Sequence, residues 1–161
     1  MMTPLSFPLT RRQCLLAGVG ASLLGVGPAQ AATLPMPASL PDALASALKK
    51  GSPLVVMVSL VGCPFCLIAR DNYLAPMQGQ SGLSVVQVDM RNRQLVQDFS
   101  GTSQTQDELI RRWNVKVAPT LLFFGRGGVE VAERMVGGYI PDFYGAYLDD
   151  RLRTARAAVA G

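Results

Sequence analysis

"PLVVMVSLVGCPFC", residues Pro53 to Cys66, joins a nearly continuous valine-rich run to two cysteines three positions apart. The run from Pro53 to Leu60 has too few polar positions for a strand with one wet face, and predicts a strand buried on both faces. A Cys-x-x-Cys directly after such a strand falls at the start of the next helix. There the unbonded N–H groups and the positive end of the helix dipole stabilise a thiolate on the first cysteine. The second, three residues on, shares its helical face and lies within disulfide reach. Pro64 suits the first helical position because it has no N–H to leave unbonded. Cys63 therefore reads as a nucleophile and Cys66 as the thiol that resolves its mixed disulfide.

Two other uses of the pair are weighed against this one. A structural zinc site needs about four ligands, and the 161 residues hold three cysteines and no histidine. A copper site of the cysteine-plus-histidine kind fails for the same reason. A purely structural bridge stays open, although it would close a loop of only a few residues and so restrain the unfolded chain little.

The first thirty-odd residues are set apart from the fold. "MMTPLSFPLTRRQ" carries Arg11 and Arg12 with no acid, "CLLAGVGASLLGV" is an apolar run of 13, and Ala29-Gln30-Ala31 has the small-x-small form of a cleavage site. This predicts a secretory signal over residues 1–31, cleaved after Ala31. Thirteen residues fall short of the roughly 20 that span a bilayer core, so no stable membrane insertion is expected after cleavage. "TRRQCLL" is similar to the twin-arginine export signal, with Cys14 where that signal usually has phenylalanine; the general secretory route stays open too. Cys14 stands ahead of the leucines of the apolar run, not after them as a lipid-modified cysteine would. The mature chain then holds Cys63 and Cys66 alone, in an oxidising compartment where a disulfide can persist.

Composition favours one folded domain: 49% of residues are hydrophobic and 16% charged. The formal charge of +4 falls to about +2 without Arg11 and Arg12, since 13 basic residues then face 11 acids. These charges are interspersed, which gives no electrostatic case for nucleic acid.

Residues 32–39 form a Pro-rich lead-in and residues 40–157 the domain. "LPDALASALKK" predicts a short amphipathic helix ending at Gly51, with Pro41 in its first turn. The helix that begins at the dithiol is expected to reach about Leu74, where Pro76 ends it. "LSVVQVDM" (Leu83 to Met90) predicts a second strand. "RNRQLVQDFSGTSQ" reads as an irregular insertion with at most one helical turn. Thr105 and Glu108 have the spacing of a capping box ahead of the next helix. "PTLLFF" (Pro119 to Phe124) and "VEVAERMV" read as two strands joined by "GRGG". A last helix starts at Pro141, with Phe143, Tyr147, Leu148 and Leu152 as its candidate buried face. The order implies an α/β domain with one mixed sheet and helices on both faces.

"LVVMVSLVGCPFC" followed downstream by "WNVKVAPTLLFFGRGGVEVAERMVGGY" resembles the thioredoxin superfamily, over about Pro41 to Arg153. Three separated features carry this: the dithiol after a buried strand, the "APT" tripeptide before "LLFF", and the "GGVEV" hairpin. The resemblance implies a thioredoxin-like fold with a central mixed sheet of about four strands. It implies that Pro119 forms a cis-proline loop facing the dithiol, with the backbone of Ala118 left to pair with an extended substrate. Pro64, Phe65, Ala118 and Pro119 would line the substrate site. The export signal, the "FSG" insertion and the "GGY" ending are similar to periplasmic members of the superfamily.

The chain departs from thioredoxin in ways that bear on mechanism. Gly62 stands where thioredoxin has a tryptophan, and Pro64-Phe65 replaces Gly-Pro. Met57 replaces the buried acid six positions before the first cysteine, so a proton shuttle for Cys66 has to come from elsewhere. Potentials in this fold run from about −270 mV in thioredoxin to about −120 mV in the strong periplasmic oxidant, whose motif holds a histidine where this chain has Phe65. Phe65 adds neither charge nor a hydrogen-bond donor, which predicts an intermediate thiolate pKa and a potential nearer the reducing end. The expected activity is a thiol:disulfide oxidoreductase without cofactor or metal, working as a reductant on a disulfide-containing protein or small molecule. A membrane thiol-electron donor would be its partner. An oxidase or isomerase, or a non-catalytic binding module on the same fold, are the alternatives.

Overall fold

The computed structural model describes residues 33–138 and 141–161. The expected signal over residues 1–31, with Arg11, Arg12 and the Ala31 cleavage point, lies outside them, as does Tyr139 of the "GGY" ending.

Four strands form the main sheet: β1 (Leu54–Ser59), β2 (Val85–Asp89), β5 (Thr120–Phe124) and β6 (Glu130–Val136), in the order β2-β1-β5-β6. β1 runs parallel to β2, with Val55 opposite Val85 and Ser59 opposite Asp89, and antiparallel to β5. All six residues of β1 are buried, which follows from helices covering both faces of a central strand. Alternation along the strands divides the core. Val55, Met57, Leu121 and Phe123 face one way and pack with Leu74, Tyr144, Leu148 and Leu152. Val56, Val58, Leu122 and Phe124 face the other and pack with Leu40, Leu44, Leu109 and Ile110. The sheet is thus the mixed, helix-flanked one that the sequence implies.

On the second face lie α1 (Leu40–Lys49) and α4 (Gln106–Arg112). Ser39 caps α1 by accepting the Asp42 N–H. Thr105 and Glu108 complete a reciprocal capping box at α4, worth about 1 kcal/mol.

The helix after the dithiol does not stop at Pro76. It runs as α2 (Pro64–Ala69), a π turn (Arg70–Leu74) and α3 (Ala75–Ser81). Proline has no N–H for the i−4 carbonyl, and its ring collides with that turn. The π turn widens the ladder just ahead of it, with the Ala75 N–H reaching back to the Arg70 carbonyl. The helix ends instead at Gly82, in the left-handed region at φ 65°.

The insertion is likewise not irregular and contains no helical turn. It is a hairpin of β3 (Leu95–Gln97) and β4 (Ser103–Thr105). Asp98 organises it: one carboxylate oxygen accepts the Ser100 and Thr102 N–H groups and the Ser100 hydroxyl, and the other accepts Gln104 Nε2 and an Arg112 nitrogen at 2.8 Å each. Burial opposes ionisation of Asp98, but these hydrogen bonds and the Arg112 charge outweigh it and hold the carboxyl below its usual range. In the window between the folded and unfolded values the unfolded chain binds more protons. This part of the stability is therefore complete above about pH 4 and is lost as pH falls through the lowered value. Asp98→Asn should melt a few degrees below the unaltered protein at pH 7, and the gap should close toward about pH 2 in melts followed by circular dichroism.

Residues 34–39 are stitched to the body. Leu34 is buried, the Pro35 carbonyl accepts the Gln87 N–H, and the Ala38 carbonyl accepts the Gln97 N–H.

The last helix, α5 (Pro141–Ala160), buries Tyr144, Leu148, Leu152, Ala155 and Val159. This face is rotated from the expected one: Phe143 and Tyr147 are 59% and 52% exposed. The spacing 144, 148, 152, 155, 159 keeps one stripe on the sheet at 3.6 residues per turn, whereas Phe143 and Tyr147 fall off its edge.

Candidate active site

Cys63 is the N-cap of α2, with extended backbone at φ −80° and ψ 111°. Its Sγ accepts the Cys66 N–H at 3.2 Å, so one of the free amides of the helix end points at the sulfur. Pro64 occupies the first helical turn. The two cysteines form a disulfide, with Cα atoms 5.3 Å apart. They differ in access: Cys63 is half-buried, whereas Cys66 is 1% exposed.

The loop before β5 comes up to this helix end. The Ala118–Pro119 peptide is cis, and the Ala118 carbonyl oxygen lies 3.7 Å from Cys63 Sγ. The loop is held from both sides. Thr120 Oγ1 donates to the Val117 carbonyl at 2.7 Å, and the Gly137 N–H donates to the Pro119 carbonyl at 2.8 Å. Gly138 completes the wall, since a Cβ there would lie 3.3 Å from Pro119 Cγ and 3.4 Å from Phe65 Cβ. Cys63, Cys66, Phe65, Ala118 and Pro119 are therefore brought to one place, as is Pro64 beside them.

This arrangement, on a β2-β1-β5-β6 sheet, is matched by sequence: the profile of the thioredoxin-like domain aligns with residues 40–152. The chain belongs to the thioredoxin-like domain family. Among solved structures, a DsbH oxidoreductase is 21% identical over 83% of this chain and 94% of that one, with a TM-score of 0.51. A poplar thioredoxin h is 18% identical over 68% of this chain and 85% of that one, at a TM-score of 0.47. A Fasciola hepatica thioredoxin is 17% identical over 74% and 97%, at 0.48. No curated protein matches the chain.

Several features of this thioredoxin-like site were not anticipated from the sequence. Val61, Leu67, Ile68 and Val117 are exposed around the dithiol, together with Phe65 at 44%. They form an apolar rim beside the two cysteines. Their signal was available, because Leu67 and Ile68 follow Cys66 on the helix and cannot all face the core. Met57 is fully buried in the core with Cys66, so β1 offers no titratable group beneath the resolving sulfur. Behind the dithiol, however, three polar residues are buried: Ser59, Gln87 and Asp89. Gln87 and Asp89 were visible as polar positions in "VVQVDM", but an alternating strand explains them as readily. Among the described residues, no group of three or more histidine, cysteine, aspartate or glutamate side chains is placed to hold a metal.

Proposed function

We propose that this thioredoxin-like domain is an exported thiol:disulfide oxidoreductase that reduces disulfides in the periplasm. The observation that carries the reading is the half-exposed Cys63 sulfur at a helix N-cap, receiving the Cys66 N–H and facing the Ala118 carbonyl, with a buried partner thiol in reach. In the reduced state the Cys63 thiolate attacks one sulfur of a substrate disulfide, and the other leaves as a thiolate. Cys66 then loses its proton and attacks Cys63, which expels the second substrate thiolate and closes the protein disulfide. Two electrons pass from the dithiol to the substrate, and the proton lost by Cys66 together with one from solvent completes the two product thiols. An extended substrate segment lies along the Ala118 backbone, between Phe65 and Pro119, and its apolar side chains meet the Val61, Leu67 and Ile68 rim.

The direction rests on Phe65, which brings no charge to stabilise the reduced thiolate; equilibration with a glutathione buffer should give a potential nearer −270 than −120 mV, about the two ends of the family range. A value at the oxidising end would reverse the direction. A reductant outside the cytoplasm is recharged by a membrane thiol-electron carrier. Among the described residues no helix is long and apolar enough to cross a membrane.

Trapping is the decisive experiment. Cys66→Ser, expressed with its export signal, should accumulate dithiothreitol-sensitive mixed disulfides through Cys63, and mass spectrometry of the free chain should give Ala32 as its first residue. A variant that traps nothing would point to a non-catalytic binding module.

A further inference from the structure

A cavity of about 250 Å³ lies behind the dithiol, lined by Cys63, Cys66, Ser59, Gln87, Asp89 and Arg70. It is polar on the sheet side and reaches a sulfur that is otherwise enclosed in the core. Asp89 is 7% exposed and Gln87 9%. Gln87 Nε2 donates to Asp89 Oδ1 at 2.8 Å, and the Asp89 N–H donates to Gln106 Oε1 at 2.7 Å. These bonds fix the carboxylate at the end of β2, opposite Ser59 of β1. Gln87 Oε1 is buried with no hydrogen-bond partner in the protein. Gln87 lines this cavity, which is large enough for water, and a buried amide oxygen without a partner calls for a donor nearby.

We propose that Asp89 is the positioning acid of the resolving step, exchanging a proton with Cys66 through water held in this cavity by Gln87. The assignment rests on the thiol-exchange reading above and gives that reaction the proton acceptor that Met57 denies it on β1. When the mixed disulfide on Cys63 is ready to resolve, the Cys66 S–H proton passes through the water to the Asp89 carboxylate. The Cys66 sulfur then bonds to Cys63, the Cys63–substrate bond breaks, and the departing substrate thiolate takes up a proton from solvent or from the now protonated Asp89. The groups facing Asp89 are Ser59 from β1, Gln87 from β2, Gln106 from α4, and Arg70 and the two cysteines across the cavity. Arg70 is the only fixed charge among them, and its Nε is paired with Asp71 at 2.8 Å.

The test is single-turnover reaction of the reduced protein with dithiobis-nitrobenzoate, which releases one coloured thiolate on attack by Cys63 and a second on resolution by Cys66. In the unaltered protein the second phase should change less than about threefold between about pH 6 and 8, because the Cys66 proton passes to a group inside the protein and does not wait on hydroxide. In Asp89→Asn, which keeps the shape and the acceptor for Gln87, the first phase should be unchanged. Its second phase should be at least about tenfold slower at pH 6 and rise about tenfold per pH unit, as expected when hydroxide has to remove the thiol proton before the thiolate can attack. Identical second-phase profiles in the two proteins would overturn the assignment. So would a tenfold rise per pH unit in the unaltered protein, a measurement that does not depend on the variant folding. Absence of the first phase from the unaltered protein would overturn the underlying thiol-exchange reading as well.

Discussion

Cys63→Ser should bring insulin reduction down to the dithiothreitol background, a loss of about 1000-fold or more, in keeping with removal of an attacking group. The loss should be this large because Cys66 cannot stand in. Its sulfur is enclosed at 1% exposure, so a substrate disulfide cannot approach it in line. Cys63 alone combines access with an amide pointed at its sulfur. The two serine variants should therefore fail in different ways: Cys66→Ser completes the first exchange and stays joined to its substrate, whereas Cys63→Ser joins to nothing. Melting curves of both reduced variants would show the fold intact. Retention of more than about a tenth of the activity by Cys63→Ser would sink the assignment of the nucleophile.

The largest effect away from the dithiol should come from Gly128→Ala. Gly128 has φ 70°, and a Cβ there would lie 2.4 Å from Cγ and 2.5 Å from Cβ of Phe99. Those atoms are the root of the side chain, not a flexible end. The ring is backed by Phe124 at a centroid distance of 4.6 Å and by Trp113 at 6.5 Å, so it has little room to retreat. Overpacking of this kind costs about 1–3 kcal/mol and the left-handed backbone about 1 kcal/mol more. A total of about 3 kcal/mol should lower the melting temperature by about 10 °C. Gly127→Ala is the internal control, since φ is 71° there but nothing lies within 4 Å of the added Cβ; it should cost only about 1 kcal/mol. Adding Phe99→Ala to Gly128→Ala should destabilise less than the sum of the two changes, because the contact is shared. Strict additivity would show that the collision is relieved by backbone movement.

What could be read from the sequence was local or periodic. β1 was legible because a strand covered on both faces has to be apolar throughout, and α4 because its capping box spans only Thr105 to Glu108. The dithiol was legible because its chemistry is confined to four residues and because histidine is absent from the chain. The errors came where a local rule met a distant partner. Pro76 was read as a stop by the i−4 hydrogen-bond rule, which a π turn five residues long sets aside. The β3–β4 hairpin depends on Asp98 meeting Arg112 from α4, a contact between residues 14 apart that no pattern in "RNRQLVQDFSGTSQ" announces. On α5 the aromatic bulk of Phe143 and Tyr147 suggested a core face, but helix phase decided for Tyr144. The polar cavity was hidden for the same reason, since Ser59, Arg70 and Asp89 come from three elements and converge only after folding.

Residues 34–39 change what counts as the start of this domain. The family profile begins at residue 40, yet Leu34 is in the core and Pro35 and Ala38 occupy the outward-facing amides of Gln87 and Gln97. Those few residues cover the margin of β2 at Gln87 and of β3 at Gln97 much as a hem finishes cloth. A chain trimmed to Leu40 would present an unfinished sheet margin beside an emptied Leu34 socket, and such margins recruit strands from other molecules. Self-association, rather than simple loss of stability, is the behaviour to expect of it.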